Sequence, residues 1–326
     1  MREAGGDFML VERETPEVGP GHVRIAVEAC GVCHSDAFVK FGAMGKLPRV
    51  PGHEVAGVID AVGEGVTQLA VGDRVGVGWH GGHCFTCESC RRGDFIGCTN
   101  GSICGVTYDG GYADYVVARA EAVARIPDEL SAVDAGPLLC AGVTTYNSLR
   151  NSGARPGDTV AILGIGGLGH LGVQYAQRMG FRTVAISRGA DKAALATELG
   201  AHDYIDAKAN DTAEALQAIG GADVILATAP NGDAISGALG GLKRRGKRMI
   251  VAAASEPLTV NGFALLSGKT IHGWPSGSSV DSEDTMRFSA RTGVLPRIER
   301  FGFEQAEEAY AKMMENRVRF RAVLVP

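Results

Sequence analysis

Four cysteines fall within fifteen residues in the stretch GGHCFTCESCRRGDFIGC, where Cys84, Cys87, Cys90 and Cys98 follow the spacing C-x2-C-x2-C-x7-C. Thiolates hold a structural zinc at about 2.3 Å in a closed tetrahedron. Two C-x2-C steps can wrap one face of an ion, and Cys98 can fold back to close it. Four ligands from one loop leave no position for a substrate, so a structural zinc is expected, pinning a loop too small for a core of its own. The competing use of such spacing is a disulfide framework, which belongs to exported chains. The N-terminal MREAGGDFMLVERETPEVG mixes Arg2, Glu3, Glu12, Arg13 and Glu14 with short apolar pieces and carries no export signal. A cytoplasmic, reducing location is expected, and with it metal.

Cys30, Cys33, Cys104 and Cys140 remain. Cys33 lies in GVCHSD, His53 and Glu54 in PGHEVAG, and Cys140 in PLLCAGVTTY. A cysteine, a histidine and a second cysteine from distant segments would make a three-ligand zinc with its fourth position free, a catalytic arrangement. Taken singly, each is better read as a buried thiol or a core histidine, and sequence distance does not decide.

A third pattern concerns a nucleotide. Gly164, Gly166 and Gly169, with Gly167 and Leu168 between them, form G-x-G-x-x-G directly after the apolar run TVAILG and at the start of a helical pattern. The first glycine allows a tight turn, the second lets the backbone approach a pyrophosphate, and the third permits helix-on-strand packing. The helix N-terminus adds a favourable dipole. At the end of the next strand, an acidic residue would bond a ribose 2'-hydroxyl; the chain has Ser187-Arg188-Gly189 there, with Lys192 a helical turn further on. Ser187, Arg188 and Lys192 can donate to a 2'-phosphate, so NADP(H) is favoured over NAD(H).

The elements that must position these groups fall into two textures. Residues 1 to about 145 are β-rich, with alternating segments at 22–29, 54–63 and 74–79 punctuated by glycine turns. From Asp158 strands and helices alternate: strands at 159–164, 182–187, 203–207, 222–229 and 247–254, helices at 170–180 and 191–200. That alternation implies a doubly wound parallel sheet of the Rossmann type, an α/β fold. A helix at 303–316 and a strand at 319–326 end the chain. At 326 residues two domains are expected: a β-rich zinc-binding catalytic domain at 1–145, completed by 281–326, and a dinucleotide-binding domain at 146–280. A net charge of -5 gives no footprint for nucleic acid, and the basic knot Lys243–Arg248 reads as a solvated turn after a helix. No apolar run approaches the roughly 20 residues that span a bilayer.

GVCHSD, PGHE, the four-cysteine loop, LLCAGVTTY and GIGGLG, in this order, resemble the zinc-dependent medium-chain alcohol dehydrogenases, in particular the bacterial branch similar to the yeast and cinnamyl alcohol enzymes. The resemblance covers nearly the whole chain and implies a GroES-like catalytic domain beside the Rossmann domain. It implies that Cys33, His53 and Cys140 hold the catalytic zinc, that Glu54 is the carboxylate behind the metal, that Asp36 orients the histidine and that Ser35 takes the alcohol proton. It also implies that His34 faces the cofactor pyrophosphate, that Thr144 lies beside the nicotinamide, and that Trp79 and Trp274 line the substrate pocket. Two zincs per chain and a homo-oligomer, dimer or tetramer, belong to the same expectation.

Two departures stand out. Relatives often place a histidine five residues after the first cysteine to pass the proton onward, where this chain has Phe38. Relatives also open with an extra strand, and this chain is about a dozen residues short by comparison, so an unpaired edge is expected in the catalytic domain. The expected activity is hydride transfer between a primary alcohol, aliphatic or aromatic, and a nicotinamide cofactor. Competing readings are a zinc-dependent secondary-alcohol or polyol dehydrogenase using NAD(H), which usually has a carboxylate in place of Cys140; a zinc-free reductase, which has no need of the Cys33, His53 and Cys140 set; and a non-enzymatic interaction module built on the zinc loop.

Overall fold

A computed structural model describes residues 1–254 and 256–326, which separate into two compact units, Met1–Val143 with Gly277–Pro326, and Thr144–Ser276. The first unit contains strands β1 (His22–Gly31), β2 (Val55–Val62), β3 (Arg74–Val77), β4 (His80–Gly82), β5 (Ser102–Ile103), β6 (Tyr115–Arg119) and β7 (Val123–Arg125). The second supplies β8 (Thr159–Leu163), β9 (Arg182–Ser187), β10 (Asp203–Asp206), β11 (Ala222–Ala227), β12 (Leu242–Ile250) and β13 (Thr270–Gly273), and the chain returns to the first with β14 (Ile298–Gly302) and β15 (Arg321–Val325).

In the first unit a sheet runs in the order β14-β15-β1-β2-β3-β7, with β6 also pairing β1; β4 and β5 form a separate ribbon. β1 is the hub: it pairs antiparallel with β2, with β6 through its first half, and with β15 at Cys30 and Gly31. Its burial changes accordingly. From His22 to Val27 inward and outward residues alternate, as in a strand with one wet face, and from Ala29 to Gly31 both faces are covered. The covered end delivers the chain to Cys33. The core beneath it gathers Val23, Ile25, Val27, Val55, Ile59, Val75, Val77 and Val116.

The second unit is a six-stranded parallel sheet in the order β10-β9-β8-β11-β12-β13. All five residues of β8 are buried, the pattern of a parallel strand covered on both faces. The basic knot is not a turn after a helix: Lys243–Arg248 lies inside β12, with Lys243 paired to Asp223 at 2.6 Å and Arg248 buried. Parallel pairing with β11 and β13 outweighs the low strand preference of a lysine- and arginine-rich run. The helix Ser279–Thr292, which the sequence reading omitted, opens on a capping box at Ser278 and Asp281 and ends at left-handed Gly293. No helix among the described residues is long and apolar enough to cross a membrane.

Candidate metal centres and nucleotide turn

Cys33 follows β1 at the head of the helix Asp36–Lys40, His53 and Glu54 lead into β2, and Cys140 lies in the widened helical turn Leu138–Gly142. Such π-type turns often mark functional positions. Each of the four residues offers one ligand atom, and these atoms lie within 4.8 Å of one another. Cys33 Sγ and Cys140 Sγ are 3.8 Å apart, about the edge of a tetrahedron whose centre is 2.3 Å from each sulfur. Asp36 Oδ1 accepts from His53 Nδ1 at 3.1 Å, while His53 Nε2 is buried without a hydrogen-bond partner among the described residues. A buried, unpartnered imidazole nitrogen beside two sulfurs is the chemistry of a zinc donor set, and the residues fit the ion. The two thiols face each other in hydrogen-bond contact, which holds Cys33 well below the usual thiol range and pushes Cys140 up. A low thiol is the form a metal takes.

Behind the sulfurs, Glu54 is wholly buried and Arg321 donates to its Oε1 and to the Val32 carbonyl. Burial raises the Glu54 carboxyl to about 7, against the pull of the Arg321 guanidinium. Gly31 is required beside it, since a Cβ there would meet Glu54 Oε2 at 1.8 Å. Arg321 escaped the sequence reading; its signal was a charge at an inward position of the apolar run RAVLV. Ser35 is half-buried with its Oγ 3.7 Å from Cys33 Sγ, Trp79 meets the His53 ring edge-on at 4.9 Å, and His34 and Phe38 are exposed.

The four-cysteine loop extends from β4, and its Sγ atoms also lie within 4.8 Å of one another. Cys98 is 3.6 Å from Cys84 and 3.9 Å from Cys87. Hydrogen bonds from the Thr86 hydroxyl, the Cys87 and Thr86 amides and the Asn100 side chain bring the Cys84 thiol down to about 5. Backbone amides aimed at sulfur prepare the thiolate form, so this set fits zinc as well.

In the second unit the glycine turn joins β8 to the helix Gly169–Arg178. Gly164 has φ +102°, a Cβ on Gly169 would meet Gly164 O at 1.9 Å, and a Cβ on Gly166 would meet nothing within 4 Å. The first and third glycines are therefore demanded by the backbone, while the second faces open space where a pyrophosphate can lie. Arg188 is exposed and Ser187 half-buried. Lys192 Nζ lies 3.4 Å from Ile165 O, at the glycine turn itself. Asp206 Oδ1 accepts from the Gly189 amide at 2.7 Å, so a carboxylate from the next strand does reach the Ser187–Gly189 corner. Thr144 donates to Ser276 at 2.9 Å, and the Trp274 indole donates to the Ser276 carbonyl at 3.0 Å. Ser276 thus gathers two residues that the sequence reading assigned separately, to cofactor and to substrate.

Comparison with known proteins decides the family. Residues 19–128 match the alcohol dehydrogenase GroES-like domain and residues 167–291 match the zinc-binding dehydrogenase domain. The chain is 46% identical over 325 residues to alcohol dehydrogenase notN of Aspergillus sp. (strain MF297-2), covering 99% of this chain and 96% of that one. The chain belongs to the zinc-type medium-chain alcohol dehydrogenases. Among solved structures of the family, cinnamyl alcohol dehydrogenase SbCAD4 of Sorghum bicolor is 33% identical with a TM-score of 0.87, covering 96% of this chain and 92% of that one. CAD of Helicobacter pylori, complexed with NADP(H), is 27% identical with a TM-score of 0.86, covering 95% and 91%. The fold is a GroES-like domain with a Rossmann-type parallel sheet, and the protein is an oxidoreductase rather than an interaction module.

Proposed function

We propose that this dehydrogenase interconverts a primary alcohol, aliphatic or aromatic, and its aldehyde, with NADP(H) preferred to NAD(H) and two zinc ions per chain. The observation that carries the proposal is the buried set of Cys33, His53 and Cys140, with the unpartnered His53 Nε2 beside two sulfurs 3.8 Å apart. These three would hold the catalytic zinc; Cys84, Cys87, Cys90 and Cys98 would hold the structural one. Bound zinc supplies a Lewis acid and bound nicotinamide a hydride carrier.

The chain's own groups do the rest. Asp36 keeps the proton of His53 on Nδ1, so that Nε2 presents a lone pair. Ser35 Oγ accepts the alcohol proton and, with Phe38 in the relay position, gives up its own to water. Trp79, against His53, is an apolar wall for substrate and excludes water from the reacting carbon. Gly164, Gly166 and Gly169 would accommodate the pyrophosphate, and Arg188 and Ser187 would bind the 2'-phosphate. From the family resemblance, Thr144 and His34 would each meet the cofactor, and Trp274 the substrate. A reducing cytoplasm is the proposed location and a homo-oligomer the proposed assembly.

A second reading, NAD(H), draws on Asp206, whose negative charge beside Gly189 opposes a phosphate. A spectrophotometric assay comparing NADPH and NADH with benzaldehyde and a short aldehyde separates the two. The expected result is higher kcat/KM with NADPH, and a loss of roughly 10- to 100-fold with NADPH alone in Arg188→Ala, the size of a charge-assisted hydrogen bond to phosphate. A wild-type preference for NADH contradicts the cofactor assignment, and no turnover of either aldehyde contradicts the substrate class.

A further inference from the structure

Asp36 carries more bonds than orienting a histidine requires. Its Oδ1 takes His53 Nδ1 at 3.1 Å, and its Oδ2 accepts from two donors, the Cys33 amide at 2.9 Å and the Tyr112 hydroxyl at 2.8 Å. The amide belongs to the metal loop itself. The tyrosine arrives from 76 residues away and joins no other part of the proposed mechanism. Two donors on one oxygen fix the plane of the carboxylate, and with it the direction in which Oδ1 meets the imidazole.

Tyr112 is itself held firmly. A Cβ on Gly52, the residue before His53, would meet Tyr112 Cδ1 at 2.5 Å, so the ring lies directly against the backbone that carries the histidine. Phe8 packs edge-on against Tyr112 at 5.7 Å and against Tyr310 at 5.4 Å. Lys40 lies over the Phe8 ring at 4.3 Å and pairs with Glu307 at 2.7 Å, and Glu307 also accepts from the Phe8 amide at 2.8 Å. Lys40 and Asp36 are the two ends of one short helix. The support therefore closes on itself: the N-terminal segment, the helix Ala306–Met314 and the Asp36–Lys40 helix all brace the ring whose hydroxyl reaches Asp36. Burial and the Asp36 charge push the phenol well up, so Tyr112 is the donor in this bond.

We infer that Tyr112 is a positioning residue for the catalytic metal centre, its hydroxyl fixing Asp36 so that Asp36 fixes the ring of His53. The inference rests on the proposal that Cys33, His53 and Cys140 hold zinc, and it assigns a role to the phenolic oxygen alone, since phenylalanine would supply every ring contact. Outer partners of a metal-bound histidine typically govern metal affinity by 10- to 100-fold.

The test uses the full chain loaded with zinc. Metal content of the wild type is measured first; a chain holding only the loop zinc would overturn the proposed centre rather than the role of Tyr112. With two zincs present, release to excess chelator is followed in wild type, Tyr112→Phe and Phe8→Leu. Y112F is expected to release one zinc roughly 10-fold faster, with the second leaving at its wild-type rate, and to shift the visible bands of the cobalt-substituted catalytic centre. F8L removes one edge contact to the ring but keeps the hydroxyl and the ring's seat against Gly52, and is expected to accelerate release clearly less than Y112F. Unchanged release and bands in Y112F, or equal acceleration in F8L, would overturn the inference.

Discussion

His80 and His83 show how far a single side chain can depart from its ordinary behaviour. His83 Nδ1 and His80 Nε2 are 3.2 Å apart, and the His83 ring stacks on Phe95 at 4.1 Å. Burial, and then the neighbouring His83, lower His80 to about 4 from 6.5. A depressed histidine is neutral in the folded chain and charged in the unfolded one between those values, so unfolding takes up a proton there. The neutral pair's contribution is fully present above pH 6.5 and is lost as pH falls through about 4; a shift of this size corresponds to on the order of 3 kcal/mol. His80→Gln should therefore flatten the acid limb of stability, and the difference in unfolding free energy between variant and wild type should shrink from pH 7 to pH 4. A constant difference across that range would show that the histidine titrates normally. Neither histidine was singled out from the sequence, because HGGHC reads as the approach to a cysteine loop.

Among the elements, β12 carries the sharpest disagreement between sequence and structure. KRRGKR has the composition of a solvated turn, yet its register places Arg248 opposite Ile225 on one side and Ile271 on the other. Arg248 is 1% exposed, and its Nε and Nη2 have no partner among the described residues. Burial lowers it to about 10. A buried guanidinium without a counter-charge is a cost to the fold, and Arg248→Met, which keeps length and apolar surface, should raise the unfolding free energy by about 1–3 kcal/mol in a denaturant titration. A loss of stability in that variant would mean the guanidinium has a stabilising partner. The alternating strands and the glycine turn were legible because periodicity and G-x-G-x-x-G are local signals. Pairing between strands is not local, which is why a basic run could hide inside a sheet.

At the scale of the molecule, the two metal sets differ in how the sequence reveals them. Cys84, Cys87, Cys90 and Cys98 are neighbours in the chain, and spacing alone announces them. Cys33, His53 and Cys140 come from three separate elements, so their meeting point was visible only through resemblance to a family. Tyr112, 76 residues beyond the group it touches, had no pattern to give it away, and Arg321, 267 residues beyond Glu54, showed only as a charge inside an apolar run. The central claim is that the two sets are independent zinc sites and that only one of them reacts. Metal analysis of the purified chain, paired with turnover, tests it most directly in wild type, Cys140→Ser and Cys87→Ser. The account predicts two zincs per wild-type chain, one in C140S with alcohol oxidation abolished and the fold retained, and one in C87S with the thermal midpoint lowered. Full turnover in C140S, or a wild-type chain that holds a single zinc, would contradict it.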